Sequence, residues 1–110
     1  MSQIALADSV LDDLVHRVVQ VSSPSRILLF GSAARGSFSQ NSDLDTLVVV
    51  PDGVHRGRTC EAIHLNLFGF AEPADDVVVT ESDTRKHADN PYLVIKPALD
   101  EGIELYRCEE

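Results

Sequence analysis

The chain has 110 residues, with 18 acidic and 9 basic side chains and a formal net charge of −9. That length suits one hydrophobic core but not two, so we predict a single domain over residues 1–110. The acidic balance argues against broad binding to nucleic acid, which needs Lys and Arg to neutralise phosphates. It does not exclude a nucleotide ligand whose negative charge is neutralised by a bound metal ion.

Cysteine usage and hydropathy favour a cytoplasmic protein with no membrane association. Cys60 and Cys108 form neither a metal-ligand pattern nor a disulfide framework, so we expect both to be free thiols in a reducing compartment. No apolar run approaches the length of a membrane span. The N-terminus has no basic region followed by an apolar stretch, and we therefore expect no signal peptide.

The first half of the chain alternates between helical and extended patterns. Apolar residues at helical spacing from Ser9 to Val21 predict an amphipathic helix. The run from Arg26 to Phe30 predicts a first strand, and a short helical turn and polar loop follow over Gly31 to Ser42. A second strand is predicted from Leu44 to Val50, where Pro51 stops it.

The second half continues the alternation with a weaker pattern. Arg56 to Phe70 predict a helix, and Asp75 to Thr80 predict a third strand. Glu81 to Asp89 form a polar stretch with no predicted element. The residues expected to face inward from the helix are Cys60, Ile63, Leu67 and one of Phe68 and Phe70.

The end of the chain adds one helix and one strand. An Asn-Pro pair at 90–91 predicts the start of a helix that reaches Glu101 before a glycine stop. Pro97 lies inside it, so we expect either a bend there or a start near Leu93. Ile103 to Arg107 predict an edge strand. The whole order fits an α+β fold with one mixed β-sheet, helices packed mainly on one face, and the other face open as a cleft.

The segment GSAARGSFSQNSDLD, residues 31–45, joins the first two predicted strands. Asp43 and Asp45 are two positions apart, which in an extended chain puts both carboxylates on one face. Two like charges so close are costly unless a cation neutralises them, and carboxylates are ligands of Mg²⁺. The turn at Gly31 and Ser32 offers backbone N–H groups to a phosphate. Together these features predict a metal–triphosphate site.

Each of these residues also has a structural interpretation. Loop chemistry before a strand explains Asp43 easily, but it explains Asp45 poorly because Asp is depleted in strands. Gly31 and Ser32 could serve only as a strand-to-helix turn, and both roles could hold together. Arg35 could reach the triphosphate or fold back to a carboxylate of the site.

The segment resembles the signature of the DNA polymerase β-type nucleotidyltransferase superfamily, Gly-Ser followed after ten residues by Asp-x-Asp. The fuller form, GSxARGxxxxxSDxDxxVV, is most similar to the minimal nucleotidyltransferases, small prokaryotic proteins often paired with a HEPN-domain protein. The likeness extends to the ending ALDEGIELY. It implies the polymerase β-like nucleotidyltransferase fold.

The resemblance also implies a catalytic set. A two-metal site needs a third carboxylate from a neighbouring strand. Family members carry it directly before a run such as Val-Val, which Asp76 matches, leaving Asp75 as an exposed strand-entry residue. Asp43, Asp45 and Asp76 would hold two Mg²⁺ ions, Asp76 could also act as general base, and Gly31, Ser32 and Arg35 would bind the triphosphate of ATP.

No residue of this chain identifies the acceptor of the transferred nucleotide. Larger relatives add a helical domain that holds it, and we expect no such domain here, so a second copy or another protein would supply it, as a homo- or hetero-oligomer. By resemblance the partner would be a HEPN-domain toxin, and the chain an antitoxin that adds AMP to a toxin tyrosine. The alternatives are a silent module that neutralises its partner by contact, and a transferase acting on a small molecule such as an aminoglycoside.

Overall fold

Helices and strands alternate along the residues that the computed structural model describes, which are 8–36, 43–90 and 93–108. Five helices and four strands lie within these ranges. In chain order they are α1 (Asp8–Val21), β1 (Arg26–Phe30), α2 (Ser32–Arg35), β2 (Leu44–Val50), α3 (Arg56–Asn66), β3 (Ala74–Thr80), α4 (Glu81–His87), α5 (Ile95–Glu101) and β4 (Ile103–Arg107).

The four strands form one mixed sheet in the order β3-β2-β1-β4. Strand β1 runs antiparallel to both β2 and β4, whereas β2 and β3 are parallel. The predicted mixed sheet is thus confirmed, with β4 at one edge and β3 at the other. Because β2 and β3 are parallel, both begin at the same end of the sheet, where Leu44 lies beside Ala74.

Apolar side chains cover both faces of the sheet. On one face, Leu14 and Val18 of α1 and Ile63 of α3 pack against a cluster that includes Ile27 and Val48. On the other face, Ile95 and Ala98 of α5 pack against residues of the three strands other than β4. The α+β class is confirmed, and α5 covers part of the second face, which had been expected to be open as a cleft. None of the helices in the described ranges has the length and apolar character needed to cross a bilayer.

Helix α3 is shorter than predicted. It ends at Asn66 and not at Phe70, and Gly69, with φ of +86°, helps to turn the chain back toward β3. Ile63 is buried, and Leu67 and Phe70 pack at the edge of the core as expected. Phe68 does not, because 92% of its surface is exposed. Of the two alternative phenylalanines, Phe70 is the inward one.

The polar stretch after β3 forms helix α4, although its sequence has no apolar stripe from which a helix could be predicted. Thr80 and Asp83 form a capping box: the Thr80 hydroxyl accepts from the Asp83 N–H at 3.1 Å, and the Asp83 carboxylate accepts from the Thr80 N–H at 3.0 Å. These bonds satisfy two helix-start donors. Helix α5 begins at Ile95, which places Pro97 in its first turn, where no intrahelical N–H bond is lost. Pro91, its predicted start, lies outside the described residues.

Candidate active site

Gly31 and Asp45 meet at the point where β1 ends. Phe30 pairs with Asp45 across the antiparallel β1–β2 ladder, so the following residue, Gly31, lies directly against the Asp45 side chain. A Cβ on Gly31 would collide with Asp45 Oδ2. Gly31 also has φ of +74° and ψ of −151°, a backbone conformation that is essentially limited to glycine. The close approach and the backbone conformation each require glycine here.

Helix α2 makes the turn after Gly31 compact. The Arg35 N–H donates to the Gly31 carbonyl at 3.1 Å. Gly36, with φ of +79°, ends the helix in the left-handed conformation, and its N–H donates to the Ala33 carbonyl at 3.3 Å. The predicted helical turn over the Gly-Ser motif is therefore present. The polar loop predicted after it, residues 37–42, lies outside the described residues.

The Asp45 carboxylate lies in an environment that disfavours its negative charge. Its pKa is raised above the ordinary value, first by partial burial and then by the negative charges of Asp75 and Asp43. The positive charge of Arg35 acts in the opposite direction. Asp43 is exposed just before β2 begins. A cation bound between these carboxylates would relieve the repulsion that raises the pKa of Asp45.

The third carboxylate on this face is Asp75, not the predicted Asp76. In the parallel β2–β3 ladder Asp45 pairs with Asp75, and Thr46 pairs with Asp76. Paired residues of neighbouring strands project from the same face of a sheet, and successive residues project from opposite faces. The structure thus contradicts the expected grouping of Asp76 with Asp43 and Asp45, because the predicted phase of β3 is off by one residue.

Asp76 lies on the opposite face in a buried setting. Only 4% of its surface is exposed, and burial raises its pKa. The Thr46 hydroxyl donates to Asp76 Oδ1, which opposes that rise, while Oδ2 is buried without a hydrogen-bond partner in the described part of the chain. Asp76 borders a cavity of about 680 Å³ beside the start of α3, with Cys60 and His55 also in its wall. Neither Asp43 nor Asp45 lines that cavity.

Arg35 forms its ion pair with a residue that the sequence did not point to. Its guanidinium lies 3.7 Å from the Glu101 carboxylate at the end of α5, and more than half of each side chain is exposed. Such an exposed pair contributes little stability. It does link the Gly-Ser turn to α5. No spacing rule connects residues so far apart in the chain, so only the fold could reveal the pair.

These positions define a polar site at the end of the sheet where β2 and β3 begin. Gly31, Asp43, Asp45 and Asp75 surround it, with Arg35 and Ser32 on the adjoining helix. In their present orientations, no three His, Cys, Asp or Glu side chains of residues 8–36, 43–90 and 93–108 are grouped closely enough to hold a metal ion. The chemistry of the donor set, carboxylates beside a glycine turn, nevertheless fits a divalent cation and a phosphate group.

Comparison with known proteins gives a family match that covers most of the chain. A model of the nucleotidyltransferase domain family matches residues 11–102, which include every residue of the site. No curated protein matches the sequence at a significant level.

Solved structures share the fold at low sequence identity. A toxin–antitoxin complex with AMP-PNP has a TM-score of 0.63 and 17% identity, with 90% of this chain and 74% of that chain covered. A Sulfolobus solfataricus protein assigned as a nucleotidyltransferase has a TM-score of 0.63 and 16% identity, over 93% and 81% of the two chains. The MntA–HpeT toxin–antitoxin, in a variant with two aspartates replaced by glutamate, has a TM-score of 0.61 and 14% identity, over 90% and 74%.

Proposed function

Because the chain belongs to the nucleotidyltransferase domain family, we propose that it transfers AMP from ATP to a hydroxyl group, and that this hydroxyl belongs to a tyrosine of a partner toxin of the HEPN class. The chain would then be a cytoplasmic antitoxin. Two of the similar folds come from toxin–antitoxin structures, one of them with AMP-PNP. The aspartates replaced in one of them are two positions apart, the spacing of Asp43 and Asp45.

Three carboxylates would hold the Mg²⁺ of the reaction, namely Asp43, Asp45 and Asp75. The pKa of Asp45 is raised first by burial and then by the negative charges of Asp75 and Asp43, and a cation among the three carboxylates would offset both effects. Asp43 and Asp75 are exposed and therefore have room to turn toward an ion. When bound, Mg²⁺ would lower the pKa of the acceptor hydroxyl and neutralise the pyrophosphate leaving group.

The chain's own residues would bind, orient and accept a proton. Gly31, which lacks a side chain, and Ser32 would contact the β- and γ-phosphates. The acceptor oxygen would form a bond to the α-phosphorus while the bond from that phosphorus to the pyrophosphate oxygen breaks in line with it. Asp75 would take the acceptor's proton, the role expected earlier of Asp76. Holding the two reactants in line supplies much of the rate in such a transfer.

The contact between Gly31 and Asp45 carries this proposal, because it joins the phosphate-binding turn to the metal-binding carboxylates within one site. The test is intact-protein mass spectrometry after incubation with ATP and Mg²⁺, with and without the protein encoded by the neighbouring gene. We expect a mass gain of one or more AMP units on the partner, and no gain with the Asp45→Asn variant.

Two other outcomes would favour the alternative functions. A partner that is neutralised without any mass gain would indicate inhibition by contact alone. Efficient transfer of AMP to a small-molecule alcohol in the absence of the partner would indicate a small-molecule transferase. Either result would overturn the proposed transfer to a toxin tyrosine.

A further inference from the structure

Two large apolar side chains protrude from the end of α3. Phe68 is 92% exposed and Leu65 is 78% exposed, the highest values among the large apolar residues that the structure describes. Leu65 is in the last turn of α3 and Phe68 is just beyond its end, and the Phe68 N–H donates to the Leu65 carbonyl at 3.3 Å, which keeps the two residues close together. Single exposed apolar residues are ordinary, whereas contiguous exposed apolar surface is a mark of protein interaction sites. We call Leu65 and Phe68 the α3 anchor.

The backbone that carries the α3 anchor is held in place from α1. Arg17 Nη1 donates to the carbonyls of Asn66 at 3.1 Å and Phe68 at 3.0 Å. The Asn66 amide donates to the Arg17 carbonyl at 2.8 Å, and the Arg17 guanidinium lies 5.7 Å from the centre of the Phe70 ring. Phe68 is thus exposed on a fixed turn and not on a loose loop. An anchor that is already ordered loses little conformational entropy on binding.

The α3 anchor lies at the same end of the sheet as the candidate active site. From its turn the chain leads directly into β3, and the Pro73 carbonyl accepts from the Leu44 N–H at 2.8 Å. The next two residues of β3 pair with Leu44 and Asp45. The anchor is on the face that α1 and α3 cover, and the Asp45 and Asp75 side chains are on the other face. A protein bound to the anchor would therefore reach the site by extending around this end of the sheet.

The charges around the anchor select among possible occupants. Glu61, one turn before Leu65, is exposed, and Glu72 and Asp75 follow the anchor along the chain. Arg17, which donates to the Phe68 carbonyl, is already paired with Asp13 at 3.0 Å. This chain has a net charge of −9 and would therefore repel a second copy of itself, an anionic membrane and a nucleic acid. A protein with an apolar pocket and a basic rim complements both the anchor and its surroundings.

We infer that Leu65 and Phe68 are the docking anchor for the acceptor protein, which receives them in an apolar pocket rimmed by Lys or Arg. This inference rests on the proposed function, since it needs a partner protein. It adds the surface by which the chain would hold that partner near the active site, and so supply the orientation on which transfer depends.

The test measures binding and chemistry separately. The partner is the purified protein encoded by the neighbouring gene, and the variants are Phe68→Ser and the double variant Leu65→Ser/Phe68→Ser. Val21→Ser is the matched control, because Val21 is an exposed apolar residue at the far end of α1. We expect Phe68→Ser to weaken partner binding at least about tenfold, the double variant to weaken it further, and the control to bind normally. The affinity for ATP with Mg²⁺ should stay within about twofold of the wild type in all three variants, since none of the substituted residues belongs to the site.

Each contrary outcome has a distinct meaning. Unchanged partner binding by Phe68→Ser, with wild-type binding intact, would overturn the anchor and leave the proposed function standing. Failure of the wild-type chain to bind the partner would overturn the proposed partner and the anchor together. A wild-type dimer that becomes a monomer in Phe68→Ser, in sedimentation, would show that the anchor serves a second copy and would also overturn the inference.

Discussion

Asp75 and Asp76 are neighbours in β3, yet the sheet places them in opposite environments. Asp75 is exposed beside Asp45, on the face with the glycine turn and the other acidic side chains. Asp76 is buried beside Thr46, on the face covered by α1 and α3. One face leaves several carboxylates open to solvent and to a ligand, whereas the other holds one carboxylate in a nearly closed setting.

Burial by itself does not decide which of these carboxylates belongs to the proposed site. Asp76 has the greater burial and a raised pKa, which are common marks of an active-site acid. In the proposed function, however, Asp45 and Asp75 are the pair that shares a cation with a phosphate bound at Gly31. That proposal depends on the grouping of the charges, and the predictions below test the grouping.

The largest effect is expected from Asp45→Asn. This change removes the carboxylate that contacts the Gly31 turn, and transfer of AMP should fall at least about 100-fold. The folded protein should be as stable as the wild type at neutral pH or slightly more stable, because the raised pKa means that folding disfavours the charged form. That gain should shrink as the pH falls toward 3.8, where the unfolded chain also becomes protonated. Activity and urea denaturation at several pH values measure both effects, and retained transfer would reject the site.

The next prediction separates the two neighbours directly. Asp75→Asn should lose at least about tenfold in transfer rate, because Asp75 shares the face of Asp45, whereas Asp76→Asn should keep most of the activity. The substitutions are identical in chemistry and adjacent in sequence, so each variant is the control for the other. Loss of activity in Asp76→Asn alone would restore the interpretation based on the family pattern and would place Asp76 on the metal face.

The sequence alone predicted most of the elements because their apolar patterns are strong. Strands β1, β2 and β4 and helix α1 were predicted to within one residue. The Gly-Ser and Asp-x-Asp spacing also indicated the site, and the structure brings Gly31 and Asp45 into contact. The element predictions depend on hydrophobic periodicity and the site prediction depends on a motif within one connection, and both are local features.

The phase of β3 could not be read from its sequence, for a physical reason. Val77, Val78 and Val79 are all apolar, so no polar–apolar alternation shows which residue faces which side, and the two preceding aspartates are chemically equal. Only pairing with β2 decides it. Helix α4 was missed because its stability begins in the capping box of Thr80 and Asp83 and not in an apolar stripe.

A smaller effect, on stability, is expected from Gly31→Ala. The new Cβ would collide with Asp45 Oδ2, and the backbone conformation of Gly31 is strained for any other residue. We expect a loss of about 1–3 kcal/mol in the free energy of unfolding, together with reduced transfer. Gly53→Ala is a suitable control, because it shares a positive φ but meets no neighbouring atom. If the two variants lose equal stability, the contact with Asp45 contributes nothing beyond the backbone strain.

An effect on stability alone, with no loss of transfer, tests the buried face through Thr46→Val. This change removes the hydroxyl that donates to Asp76 and leaves the buried carboxylate without that partner, at a cost of about 1–3 kcal/mol in the free energy of unfolding. The pH dependence gives the diagnostic sign. Asp76 has a raised pKa in the folded state, so the unfolded chain releases its proton first and stability falls as the pH rises above 3.8.

Loss of the Thr46 hydrogen bond should raise the pKa of Asp76 further, since that bond lowers it in the wild type. The fall in stability should then extend to higher pH, and the cost of Thr46→Val should be larger at pH 7 than near pH 4. Thr46→Ser keeps the hydroxyl and should show a smaller cost that does not depend on pH. A cost of Thr46→Val that is the same at both pH values would mean that Asp76 is not ionised in the folded protein, and that the two faces of β3 differ in charge as well as in burial.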